Sequence, residues 1–356
     1  MRRVTILASA LVAGTLVLTG CGGSSGGTTT TPAASDTPAS SDAASTPAKS
    51  DLKVGLAYDI GGRGDQSFND AAAAGLDKAK AELGIEAKEL EATGGEADAA
   101  KEERLRLLAS SGYNPVIAVG FAYSAAVGKV AKELPDTKFA IIDDAVAGDN
   151  IANLVFAEEQ GSFLVGAAAA LKSKSGNIGF VGGVDVPLIH KFEAGYAAGA
   201  KAVNPKIKVQ VKYLTQPPDF SGFGDPAKGK TAAAGMYDGG ADVVYQAAGG
   251  SGGGVFEAAK TAGALAIGVD SDQYKTADPA VQSVIMTSML KTVDVAVFDF
   301  VSSVAGDKFA AGPTVYDLAK DGVGYSTSGG MVDDIASKLE DYKAKIISGE
   351  IKVPTE

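Results

Sequence analysis

The chain has 356 residues with a formal charge of −11, 46 glycines, no tryptophan, one cysteine and one histidine. A lone cysteine cannot form an internal disulfide, and one Cys with one His cannot build a zinc cage. A pI near 4.8 disfavours nucleic acid as the main partner, and a single His removes most acid–base and triad chemistry. The balance leans toward a binding protein, and the length predicts about two sizeable domains.

Met1, Arg2 and Arg3 open the chain and an apolar run follows from Val4 to Thr19. That run has the length of a signal-peptide core and is shorter than the roughly 20 residues of a spanning helix. It ends in Leu18, Thr19, Gly20 and Cys21, which resembles the lipobox of bacterial lipoproteins. The resemblance implies cleavage after residue 20 and a lipid on Cys21, anchoring the protein to the extracytoplasmic face of the cell membrane. Residues 22–50 are Gly, Ser, Thr, Pro and Ala at all but three positions. Nothing there can offset the entropy of ordering, so 21–50 reads as a flexible tether spanning about 30 Å.

From Asp51 the pattern changes to short apolar strands alternating with Ala-rich amphipathic stretches, which predicts βαβ units around parallel sheets. Strands are expected at 52–58, 85–90, 116–120, 139–142, 153–156, 177–182, 208–214, 243–246, 264–269 and 283–287. Helices are expected at 67–83, 97–110, 122–133, 160–173, 188–203, 226–240, 253–262, 291–306 and 331–348. Ten strands exceed one comfortable sheet, so the fold class is α/β with two lobes.

Polar residues recur where strands finish. Asp59 follows the first, Asp143 and Asp144 the fourth, Asp270 to Asp272 the ninth, and the run Gly249–Gly254, broken only by Ser251, follows the eighth. Ligands of open α/β sheets sit beyond the carboxyl ends of the strands. Carboxylates and bare glycine backbone suit a neutral, hydroxyl-rich ligand, whereas a phosphate would want Lys or Arg beside the glycines.

Several residues carry two readings at this point. Gly249, Ser251 and Gly253 match the nucleophile-elbow spacing, but the required His must follow the Ser, and His190 precedes it. The remaining reading is a glycine loop that admits a ligand or packs tightly. His190 sits at a helix start, as a surface or capping residue. Asp65 or Ser67 caps the helix that follows, and Phe68 is equally a core plug or a stacking surface. Phe220 and Phe223 offer the same choice in the other candidate lobe. Lys291, read as a helix start, opposes the macrodipole there and needs either an acid or a ligand oxygen, or else solvent.

The segments DQSFN at 65–69, FVGGVDVPLI at 180–189, KFEAGY at 191–196, DPAKGK at 225–230, ADVVYQAAGG at 241–250, IGVDSDQ at 267–273 and TSMLK at 287–291 occur in order. Together they resemble the basic membrane protein family of lipoproteins, the substrate-binding components of ABC transporters that include purine-nucleoside receptors. The resemblance spans about residues 53–347. It implies a periplasmic-binding-protein type I fold: two lobes, each a parallel sheet flanked by helices, joined by hinge crossings. The N-terminal lobe would comprise 51–156 and 284–320, and the C-terminal lobe 157–283 and 321–356. By the same resemblance Phe68 and Phe223 stack on a purine, and Asn69 and Asp143 bond its edge, with Asp144 as the neighbouring register. Asp270 accepts from ribose, with Lys291, Gly249, Gly250 and Asp59 around it. The lead-in TQPPDFSGF at 215–223 is longer and richer in proline than the family pattern and brings in Phe220 as an alternative ring. The expectation is a monomeric nucleoside receptor with no cofactor, no metal and no catalysis, serving an ABC permease and touching the membrane only through its anchor. A sugar or other small polar solute is the alternative ligand, and a Ser251 hydrolase or a nucleosidase built on the acids at 270–272 is the remote one.

Overall fold

The computed structural model describes residues 50–356. The expected signal peptide, the lipidation site Cys21 and nearly all of the tether lie outside the described residues. In chain order the elements are β1 (Lys53–Ala57), α1 (Phe68–Leu83), β2 (Glu86–Leu90), α2 (Asp98–Ser110), β3 (Val116–Ala118), α3 (Ser124–Glu133), β4 (Phe139–Ile142), β5 (Ile151–Phe156), α4 (Glu158–Lys172), β6 (Asn177–Val184), α5 (Pro187–Val203) and β7 (Lys208–Thr215). They continue with α6 (Pro226–Asp238), β8 (Val243–Ala247), α7 (Gly252–Ala262), β9 (Leu265–Asp270), the short α8 (Gln273–Thr276) and α9 (Pro279–Gln282), β10 (Ile285–Lys291), α10 (Val293–Ala305), β11 (Gly312–Tyr316), β12 (Val323–Tyr325) and α11 (Ala336–Ile347).

Two six-stranded sheets result, in the orders β11-β5-β4-β3-β1-β2 and β12-β10-β9-β8-β6-β7. They repeat one plan, parallel throughout except for β12, which runs antiparallel to β10. Period-two alternation places Val54 and Leu56 against Leu76 and Val297 on one face of the first sheet, while Ala57 meets Leu105, Leu108 and Val130 on the other. The second sheet is covered likewise, Phe180 packing with Phe192 and Tyr196, and Val181 and Val244 with Met236 and Phe256. These are the parallel sheets with helices on both faces that the alternating pattern predicts.

The chain crosses between the sheets three times: after β5, after β10 and after β11. One expected boundary moves. The resemblance assigns residues 284–291 to the first lobe, but β10 pairs with β9 and β12 in the second sheet, and the chain crosses only after Lys291. Polar Thr287, Ser288 and Lys291 hid the rest of that strand from a hydrophobicity reading, although all three are buried. Lys291 therefore ends a strand and does not begin a helix; α10 starts at Val293. Edge strands β11 and β12 were not expected either, since β11 is mostly exposed and β12 has three residues.

Helices α4 and α5 pack backbone against backbone. A Cβ on Gly199 would run into the Phe163 carbonyl, and one on Gly195 into that of Glu159. Alanine gains about 1 kcal/mol of helix propensity over glycine, but overpacking costs roughly 1–3 kcal/mol. We expect Gly199→Ala to lower the thermal midpoint; an equal or higher midpoint would show that the helices can part without cost.

Candidate functional site

A cavity lies beyond the carboxyl ends of both sheets, where β1 gives way to β3 and, in the second sheet, β6 to β8. The centre of a water molecule can occupy about 50 Å³ of it, within about 540 Å³ of atom-free space that includes open solvent at its mouth. Asp59, Phe68, Asn69, Asp143, Phe223, Gly249, Asp270 and Lys291 all line it. Of the residues expected at the site, Gly250 alone does not. Phe223 lines this cavity, whereas Phe220 borders a neighbouring crevice. Asp144 turns away: its carboxylate accepts from Ser124 Oγ and from the backbone of Ala145.

The loop after β1 is shaped by its own acid. Asp65 accepts from the backbone N–H groups of Ser67 and Asn69 at 2.9 Å and of Asp70 at 3.1 Å, so Asp65, and not Ser67, satisfies the first turn of α1. Its Oδ2 also accepts from Asn69 Nδ2 at 3.0 Å, while Asn69 Oδ1 accepts from the Asp59 backbone at 3.1 Å. Phe68 is thereby carried to the cavity wall as the first residue of a capped helix. On the facing side Ser251 Oγ donates to the Gly222 carbonyl at 2.7 Å and accepts from the Asp225 backbone at 2.8 Å. This ties the glycine turn to the loop that carries Phe223. With its hydroxyl buried and both roles used, Ser251 is no nucleophile. His190 bonds Asp185 at 2.7 Å in a half-exposed position and does not line the cavity.

The floor is ionic. Lys291 Nζ, 2 % exposed, lies 2.6 Å from Asp143 Oδ2, 3.8 Å from Asp270 Oδ1 and 4.0 Å from Glu158 Oε1. It also stands 4.7 Å from the centre of the Phe68 ring and 5.5 Å from that of Phe192. Burial alone would lower the ammonium's pKa, but the three carboxylates more than offset it and hold Lys291 charged. Burial pushes Asp270 up to about 6 despite Lys291, and Glu158 up to about 7 despite Lys291 and Lys191. Asp59 rises to about 6 for the same reason, partly countered by the Ile60 N–H. Asp143 Oδ1, Asp270 Oδ1 and Glu158 Oε1 are buried without a hydrogen-bond partner. The first two belong to residues that line the cavity, so the site holds acceptors in need of donors.

Sequence reasoning missed Asp65, Phe121, Phe192 and Glu158. Phe121 meets Phe223 edge to face with ring centres 6.3 Å apart, and it follows Gly120, where the third strand is expected from sequence to end. Glu158 left no signal: beside Glu159 at a helix start it reads as a solvated acid favoured by the dipole, yet it is 1 % exposed. Among the described residues no group of His, Cys, Asp and Glu is arranged to hold a metal ion, and no helix is long and apolar enough to cross a membrane.

A family model described as "Bmp: ABC transporter substrate-binding protein PnrA-like" matches residues 52–356. The chain belongs to the Bmp family. It is an ABC transporter substrate-binding protein, a non-enzymatic role. A Lactococcus lactis protein named "ABC transporter nucleoside-binding protein BmpA" is 35% identical over 328 residues, 86% of this chain and 90% of its own. A Pyrococcus abyssi protein named as an uncharacterized lipoprotein is 35% identical over 286 residues, 77% and 69% of the two chains. The crystal structure of an ABC transporter solute-binding protein from Aeropyrum pernix K1 superposes with a TM-score of 0.75 at 32% identity, covering 86% of this chain and 94% of the other.

The raised carboxylates of this Bmp protein have a consequence for stability. Groups whose folded pKa is raised bind protons that the unfolded chain releases, so their contribution to stability is lost as pH climbs toward about 7. We expect the thermal midpoint of the unliganded protein to fall between pH 5 and pH 7.5, and to fall less in Glu158→Gln. Equal slopes would show that Glu158 is ionised throughout.

Proposed function

We propose that this chain is a receptor for nucleosides, purine nucleosides first, anchored by a lipid on Cys21 to the extracytoplasmic face of the membrane. The observation that carries the reading is one cavity bounded by an aromatic ring from each half, Phe68 and Phe223, with unpartnered carboxylate oxygens of Asp143 and Asp270 between them. A nucleoside supplies a planar base for the rings and sugar hydroxyls or ring N–H groups for the oxygens. Asp59, Asp65, Asp143 and Asp270 outweigh Lys291, which disfavours a phosphate on the ligand. The Lactococcus relative is named for nucleoside binding and the Pyrococcus relative as a lipoprotein, which support ligand and anchor respectively. Binding proceeds by capture without covalent chemistry: the halves close on the ligand, and the closed monomer docks on the permease.

Base stacking is worth roughly 1–3 kcal/mol per ring, and hydrogen bonds to charged groups roughly 1.5–3 kcal/mol. The sum is compatible with micromolar affinity, about −8 kcal/mol. Calorimetry with inosine, guanosine and adenosine is expected to give saturable heat. Phe68→Ala and Phe223→Ala should each weaken binding by roughly tenfold or more. Absence of heat with every nucleoside overturns the ligand, and unchanged affinity in both variants transfers the site to a sugar or another small polar solute.

A further inference from the structure

Ser67 is fully buried at the start of α1 yet makes no cap hydrogen bond there. Its hydroxyl reaches the second sheet instead, 3.1 Å from the Val269 carbonyl and 3.2 Å from Asp270 Oδ2. One hydroxyl proton serves one acceptor at a time, so the two share it. Three further bonds cross the same seam. Ser271 Oγ donates to the Ser67 carbonyl at 2.9 Å, Gln273 Nε2 to the Gln66 carbonyl at 3.1 Å, and Thr276 Oγ1 to that same carbonyl at 3.3 Å. Gln273 is held in turn, its Oε1 accepting from Gln246 Nε2 and from the Val269 backbone, both at 2.8 Å. Gln66 takes a left-handed backbone, φ 56°, as expected of a turn fixed by its neighbours.

We infer that the turn Gln66-Ser67 is the latch that fastens the first sheet's side of the cleft to the second, and that Ser67 is a positioning residue for Asp270. Asp270 belongs to β9, and its Oδ2 is engaged by a hydroxyl from the opposite side of the cleft. Its Oδ1 is buried without a hydrogen-bond partner, 3.8 Å from the Lys291 ammonium, in a residue that lines the cavity. A ligand hydroxyl on Oδ1 completes a carboxylate that only the closed arrangement holds. Latch and ligand therefore favour the same state, and by linkage each strengthens the other. The inference rests on the proposed nucleoside ligand for its probe and for the hydroxyl placed on Oδ1.

The test measures association and dissociation of inosine separately. In Ser67→Ala, dissociation is expected to quicken about tenfold with association within twofold, because ligand enters the open arrangement and the latch slows only its release. Ser271→Ala should fall between that variant and the parent. A merely structural role would lower the midpoint of the unliganded protein and alter association as well; either that pattern or unchanged dissociation overturns the latch. Should the parent protein bind no nucleoside, the ligand reading fails by itself. The latch is then read without ligand, as faster amide exchange in 65–70 and 269–276 in Ser67→Ala, and equal exchange overturns it.

Discussion

The ammonium of Lys291 and the carboxylate of Asp143 meet at 2.6 Å across the seam between two six-stranded sheets, and the cleft is organised around that contact. Taking either charge out of water costs several kcal/mol, and a buried pair persists only where geometry and further polar contacts offset the loss. Here the offset is uneven. One lysine is shared by Asp143, Asp270 and Glu158, with Lys191 helping only Glu158, at 3.2 Å. The cluster keeps its cation charged and leaves carboxylate oxygens without donors. A site that is short of donors selects a ligand rich in them.

The position of the cluster follows from connectivity. Glu158 is the first residue of α4, just after the first crossing, and Lys291 is the last of β10, just before the second. Glu158 and Lys291 therefore lie where the chain passes from one sheet to the other, and Asp143 and Asp270 reach them from strand ends. The aromatic walls stand on loops from either half. Phe68 is held by the Asp65 cap and Phe223 by the Ser251 tie, so each ring is set by a polar side chain bonded to the backbone beside it. A rigid ionic floor with separately braced walls is an arrangement suited to closing around a flat, polar solute.

The strand ends carry most of what could be read beforehand. Asp59, Asp143 and Asp270 follow short apolar runs, and the strand-end rule for α/β sheets suffices to gather them at one cavity. Phe68 and Phe223 stood in loops that chemistry alone left undecided, and only the ordered segments shared with the family pointed to the cavity. What stayed hidden is what tertiary burial decides. Thr287, Ser288 and Lys291 lie inside a buried strand that hydrophobicity ended too early, which also misplaced the crossing by eight residues. Glu158 and Glu159 are indistinguishable in sequence, and packing beside Lys291 separates them. Ser67 looks like a helix cap, whereas its partners lie about two hundred residues away.

The most direct measurement is calorimetric titration of Lys291→Met with whichever of inosine, guanosine and adenosine gives the tightest binding to the parent protein, circular dichroism confirming that the variant is folded. Without the ammonium the acids at the seam repel one another or take up protons, and neither state presents ionised acceptors in a closed cleft. The expected result is a folded protein whose affinity has fallen at least a hundredfold. A folded variant with the parent's affinity would contradict the central role of the lysine.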